Sequence, residues 1–205
     1  KTINYYDLDL LSESFKMFGF GEITKVDILN ESSGIVPSSN FMNNRYGNFG
    51  WSRGAILNIC IGQGETLVTP IQVFNFVNLL ATNGQAKVPH FVMVDQLPEN
   101  VKPKLDSETW EKIANDMENV IMHDKGTGKN ADPYINDIRV YGKTGTAENP
   151  HGNDHAWFIG WIESKDSSLY SVVVLMENAG SGGAKAAPIA NKIFKSIYKN
   201  IIEVS

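Results

Sequence analysis

Leu8, Leu11, Phe15 and Phe18 recur at helical spacing, and the run "GFG" from Gly19 ends the pattern where a left-handed cap is wanted. A helix of about three turns is predicted there. Residues 19–55 are rich in Gly, Asn, Ser and Pro, with a short strand-like "VDIL" at 26–29, and read mainly as an irregular connection. Its length suggests an insertion near a site, or a segment packed down by Phe41, Tyr46, Phe49 and Trp51. In "VTPIQVFNFVNLLATNG", Thr69 is suited to cap, Pro70 to open and Gly84 to close a helix. Only Gln72, Asn75, Asn78 and Thr82 form a polar stripe, so this helix should be mostly buried. Another helix begins at Ser107 with Asp106 as its cap, carries Trp110, Ile113, Ala114, Met117, Val120 and Ile121 on one face, and breaks at "HDKGTG".

Three strands are predicted next, at 138–147, 156–163 and 169–178. The connection "SKDSS" is short enough to force antiparallel pairing, and "ENPHGNDH" permits a simple turn, so a three-strand meander is the economical arrangement. After "AGSGG" a closing helix presents Ile189, Ile193, Phe194, Ile197 and Ile201 on one side and lysines on the other. Helices, then a meander, then a helix over one sheet face describe an α+β domain, without internal repeat or linker.

The chain has 205 residues, of which 42% are hydrophobic and 20% charged, which suits one compact globular unit. The net charge of -5 has no basic cluster to offset it, which argues against nucleic acid or an anionic membrane surface as partner. The single cysteine, Cys60, excludes an internal disulfide and leaves the redox compartment open; its apolar neighbours in "ILNICIG" suggest a buried structural thiol. No stretch approaches the roughly 18 apolar residues of a membrane span. The first residues carry no signal-peptide pattern and read as a cut through a longer protein.

The chemistry concentrates in "VYGKTGTAENPHGNDHAWFIGW", residues 140–161. "GKT" ends a P-loop, but that loop needs a glycine where Asp137 stands and a helix where Pro150 and Gly152 follow. A strand accommodates the residues better: Thr144 and Thr146 share one side, Lys143 takes the other, and Gly145 leaves the backbone edge open to close approach. Such an edge can dock a peptide, hold a carboxylate with two hydroxyls and place an ammonium near a developing negative charge. An exposed strand carrying a lysine for solubility accounts for the same residue types. Elsewhere, His151, Asp154 and His155 have a spacing reminiscent of zinc proteases, but Pro150, Gly152 and Asn153 favour a polar turn, and no metal site is assigned. Glu65 and Glu148 have nothing in sequence that joins them as an acid and base pair.

"GKTGTAE" followed by "DHAWFIGW" resembles the third signature of the penicillin-binding transpeptidases, whose set is Ser-x-x-Lys, Ser-x-Asn/Asp and Lys-Thr-Gly. "FGFGEITKVDILNESSGIVP", "ICIGQGETLVTPIQVFNFVNLLATNGQAKVPHFV" and "VVLMENAGSGGAKAAPIANKIF" resemble further segments of that family. The "IGQG...TPIQ" wording is similar to the class B, elongation type, penicillin-binding protein 2. The resemblance implies a β-lactamase/transpeptidase-like α+β fold, with residues 1–205 as the C-terminal portion of a single transpeptidase domain. It implies a serine D,D-transpeptidase that cross-links peptidoglycan stem peptides through an acyl-enzyme and is acylated by β-lactam antibiotics. Lys143 would act in the charge and proton network around the nucleophile, Thr144 and Thr146 would grip the substrate carboxylate, and the Thr146 amide would be an oxyanion-hole donor. Gly145 would keep the edge open.

No cofactor is implied. The implied setting is the periplasm or the outer face of the cytoplasmic membrane, with an N-terminal anchor beyond this chain. A glycan-polymerising membrane protein and a cell-shape scaffold are the implied partners. The first two signatures are expected upstream of Lys1, so this chain alone should not form an acyl-enzyme. Ser196-x-x-Lys199 spells the first but sits on the polar side of the closing helix, and Ser38 to Asn40 spells the second within an expected solvated turn. The same fold also serves β-lactamases, D,D-carboxypeptidases and non-catalytic β-lactam sensors or scaffolds, and these remain open at this point.

Overall fold

Where apolar residues return every three or four positions the chain is helical, and where they alternate it is extended. The computed structural model describes residues 5–48, 50–93 and 95–203. It runs α1 (Tyr5–Met17), α2 (Ser39–Tyr46), α3 (Arg53–Cys60), α4 (Pro70–Ala81), α5 (Ser107–Met122), β1 (Ile138–Ala147), β2 (His155–Ser164), β3 (Leu169–Met176) and α6 (Gly182–Ile197). Two compact units result, not the one that length and composition suggest: the chain up to Phe76 with Lys87–Pro103, and Val77–Ala86 with everything from Lys104 onward. Among the described residues no helix is long and apolar enough to cross a membrane.

In the first unit Leu8 from α1 packs with Met42, Trp51, Ile56 and Ile59, and Leu11, Phe15 and Phe41 flank them. α1 stops at Gly19, whose φ of 86° is the left-handed cap expected of it. Residues 19–55 are less irregular than their composition suggests, because α2 and the start of α3 fall within them. Ser38 belongs to no solvated turn: its hydroxyl accepts from the Phe41 amide at 3.2 Å as the N-cap of α2, while Ser39 donates to the Asp9 carboxylate. Ser38→Ala is expected to cost about 1 kcal/mol, read from urea unfolding. Of the aromatics proposed to hold this segment, Phe41 and Trp51 do pack inward. Tyr46 is largely exposed and bonds Glu65, and Phe49 lies outside the described residues.

"VDIL" is a bend and not a strand. Ile28 N donates to Val26 O at 2.8 Å, Leu29 is 90% exposed, and the Asp27 carboxylate accepts from the Phe91 and Val92 amides at 2.7 Å each. Those two amides hold the Asp27 carboxyl below its ordinary value. A lowered folded value stabilises the fold above the unfolded value of about 4 and is lost as pH falls through the folded one. Wild type should therefore exceed Asp27→Asn in urea midpoint at pH 7, and the gap should narrow towards pH 3. Cys60 is exposed and not buried, because it follows Ile59 at the end of α3, about 100° further round the helix.

At the start of α4 the Gln72 amide donates to Thr69 Oγ1 at 3.3 Å and the Thr69 amide donates to Gln72 Oε1 at 2.9 Å, a reciprocal cap. Gln72 and Asn75 are buried members of the polar stripe. The Gln72 side chain donates to the carbonyls of Glu22 and Ser33, and Asn75 pairs with Asn100.

The second unit is built on the antiparallel sheet β1-β2-β3, the expected meander. Val140, Phe158, Ile162, Val172 and Val174 on one sheet face meet Ala186, Ala187, Ala190 and Phe194 of α6, with Phe158 and Phe194 edge to face at 6.3 Å. α5 starts at its expected cap, Asp106, and its Glu118 takes Arg139 of β1 through two bonds at 3.1 and 2.7 Å. On that opposite sheet face Tyr141 stacks on Trp161 at 4.6 Å, and burial followed by the bond to Glu163 pushes its phenol above its ordinary value. The face expected of the closing helix holds through Ile197 but not at Ile201. A π-helical turn, Tyr198–Ile202, adds a residue, so Ile202 packs on the core and Ile201 is 45% exposed.

Candidate active site

Strand geometry decides how residues 143–146 present themselves. All four lie in β1 and pair inward with β2: Lys143 with Ile159, Thr144 with Phe158, Gly145 with Trp157 and Thr146 with Ala156. β1 is at one edge of the sheet, and among the described residues no strand pairs along its outer side. The backbone is extended from Ile138 through Ala147, so it does not curl round an anion as a phosphate loop does.

Side chains alternate as the strand requires. Thr144 and Thr146 fall on the α6 side, and Lys143 on the other. The Lys143 ammonium is exposed and donates to its neighbour's carbonyl, Thr144 O, at 2.7 Å. The Thr144 hydroxyl is 2.8 Å from the Thr127 hydroxyl, and the Gly182 amide donates to Thr146 Oγ1 at 3.4 Å. Gly182 opens α6, and only a glycine fits there: a Cβ would lie 2.3 Å from both Gly145 O and Trp157 O. The first turn of α6 thereby braces the strand directly behind Gly145. Lys143 and Thr146 remain open to an incoming molecule, and Thr144 is half-buried.

Thr127, Asn130 and Gly182 carry no sign in the sequence that they belong to the site. "HDKGTG" reads only as a helix breaker, and the glycines of "AGSGG" hint at close packing without saying against what. His151 is in the β1–β2 turn, Gly180 donates to Asp154 O at 2.8 Å, and His155 Nδ1 accepts from the Asn178 amide at 3.0 Å. Glu65 belongs to the first unit, engaged by Arg45 at 3.3 Å and by Tyr46, while Glu148 belongs to the second. Ser196 and Lys199 are exposed on the outer side of the closing helix, with the Ser196 hydroxyl accepting from Asn200.

The family described as "Penicillin binding protein transpeptidase domain" matches residues 7–195. The chain belongs to this family. Among its relatives, the peptidoglycan D,D-transpeptidase MrdA of Haemophilus influenzae is 34% identical over 213 residues, covering 91% of this chain and 32% of the relative. Stage V sporulation protein D of Bacillus subtilis is 31% identical, covering 90% and 30%. Pseudomonas aeruginosa PBP2 in complex with WCK 5153 superposes with a TM-score of 0.81 at 27% identity, over 96% of this chain and 45% of that one. PBP2 of Helicobacter pylori in complex with MreC gives 0.80 at 30%, over 94% and 36%. The chain thus spans about a third of the length of the MrdA relatives and is a penicillin-binding transpeptidase segment of the PBP2/MrdA type within class B. The fold is the α+β, β-lactamase/transpeptidase-like one that the motifs imply.

Proposed function

We propose that residues 1–205 are the C-terminal portion of a single transpeptidase domain and supply the substrate-gripping wall of a serine D,D-transpeptidase. In the reaction a serine oxygen attacks the penultimate D-alanine carbonyl of a peptidoglycan stem peptide and the terminal D-alanine leaves with a proton. An amine of a neighbouring stem then takes the acyl group and returns the serine its proton. The serine is assigned to the whole protein outside these residues: the one Ser-x-x-Lys here, Ser196 to Lys199, faces away from the sheet core and follows the Lys-Thr-Gly strand.

The observation that carries this reading is the extended Lys143-Thr144-Gly145-Thr146 edge, exposed at Lys143 and Thr146. In it the Thr144 and Thr146 hydroxyls grip the stem peptide's terminal carboxylate and the Thr146 amide donates to the acyl oxygen as negative charge builds there. The Lys143 ammonium lends positive potential and holds protons near the nucleophile. Gly145 presents no side chain to the docked peptide. β-Lactam antibiotics, which carry a carboxylate beside a strained acyl group, enter by the same contacts. The relatives named MrdA support the substrate class, and the MreC complex of the Helicobacter pylori protein supports a cell-shape scaffold as partner; a glycan-polymerising membrane protein as second partner rests on the family resemblance alone. The site then works on the periplasmic or outer side of the cytoplasmic membrane, where stem peptides are.

Fluorescent penicillin applied to the full-length protein tests this. A covalent, long-lived label is expected. No label overturns the reading, and a label released to water within seconds replaces the transferase with a hydrolase of the same fold.

A further inference from the structure

A threonine hydroxyl has one proton and two lone pairs, so the partner on its oxygen decides where the proton points. On β1 both threonine oxygens meet a group behind the strand: Thr127 Oγ1 at 2.8 Å from Thr144 Oγ1, and the Gly182 amide at 3.4 Å from Thr146 Oγ1. The amide can only donate. Between two hydroxyls either can be the donor, and an anion in front of the strand removes that choice. Thr144 must give its proton to the anion, which leaves Thr127 to donate to Thr144.

The geometry points to Thr127 as a positioning residue for carboxylate recognition, one that fixes the Thr144 hydroxyl as an outward donor and strengthens it by polarising its oxygen. This rests on the proposed transpeptidase reading. Thr127 is not placed by accident of a loose loop. Gly126 N donates to His123 O at 2.8 Å and Gly128 N to Val120 O at 3.0 Å, fastening the turn to the end of α5. Asn130 Nδ2 donates to Gly183 O at 2.9 Å, fastening its far side to α6. Gly183 has no Cβ, and one there would lie 2.6 Å from Thr127 O, so the turn closes against the helix. Thr127 is exposed, so water can bond to its oxygen when its own proton is committed to Thr144.

The test compares acylation of the full-length protein by benzylpenicillin and by its methyl ester, which lacks the carboxylate. Thr127→Val keeps the shape and removes the hydroxyl, and Thr127→Ser keeps the hydroxyl. Wild type should prefer the acid; Thr127→Val should lower the acid-to-ester preference about tenfold, the upper end for one neutral hydrogen bond. The loss should appear in apparent affinity more than in the limiting acylation rate. Thr127→Ser should stay within about threefold of wild type, and in a Thr144→Val background Thr127→Val should add nothing further. Equal loss on acid and ester, or an unchanged preference in Thr127→Val, overturns the positioning role while a labelled wild type leaves the transpeptidase reading standing. A wild type that takes up no penicillin overturns both.

Discussion

Lys143→Ala in the full-length protein should lower the rate of acylation by penicillin by about a hundredfold to a thousandfold while leaving the melting temperature unchanged. The separation follows from where Lys143 sits. Its side chain is exposed, and its bond in the structure is to the adjacent carbonyl of Thr144, so removing it leaves no buried partner unsatisfied. In the proposed transpeptidase its positive charge would act on the oxyanion that develops along the reaction path and on the proton as it leaves the nucleophile. Stopped-flow or gel-resolved labelling of the variant gives the rate, and a thermal melt gives the control. A rate within threefold of wild type removes Lys143 from the catalytic network.

Gly182→Ala has the opposite profile: it damages the fold and the site together. The added methyl would meet Gly145 O and Trp157 O at 2.3 Å and Gly145 N at 3.0 Å, all backbone atoms in the middle of paired strands, which cannot rotate aside. α6 must lift from the sheet at its first turn. Overpacking of this kind costs about 3 kcal/mol, the upper end of its usual range. Lifting α6 also withdraws the Gly182 amide from Thr146 Oγ1, so the folded fraction should acylate at least about tenfold more slowly than wild type. Urea unfolding followed by labelling under native conditions measures both. Ordinary stability with ordinary labelling would mean that the close approach of helix and strand is not what sets the Thr146 geometry.

Features that one or two adjacent residues dictate were legible in the sequence. Thr69 with Gln72, Asp106 with Thr109, and Gly19 all mark helix ends through local bonds, and the strands of the meander match the alternating runs to within a residue or two. α2 was not legible, because "SNFMNNRY" has one buried residue, Met42, and its helix is fixed by the Ser38 cap and the Asp9 bond to Ser39. "VDIL" has strand composition, but Asp27 spends its carboxylate on amides some sixty residues away, at Phe91 and Val92, a tertiary contact with no local sign. Likewise the π-helical turn that exchanges Ile201 for Ile202 leaves no mark in a period of 3.6. In the site, Lys143, Thr144, Gly145 and Thr146 are contiguous, so strand alternation alone ordered them. Thr127 lies 17 residues from Thr144 and Gly182 lies 36 from Thr146, and only the folded chain joins them.

A crystal structure of the full-length protein acylated by benzylpenicillin tests the central claim most directly. The β1 edge should run beside the bound drug, its carboxylate accepting from the Thr144 and Thr146 hydroxyls and its acyl oxygen about 2.7–3.1 Å from the Thr146 amide. A drug held covalently with its carboxylate on other residues and its acyl oxygen turned away from β1 would contradict the account.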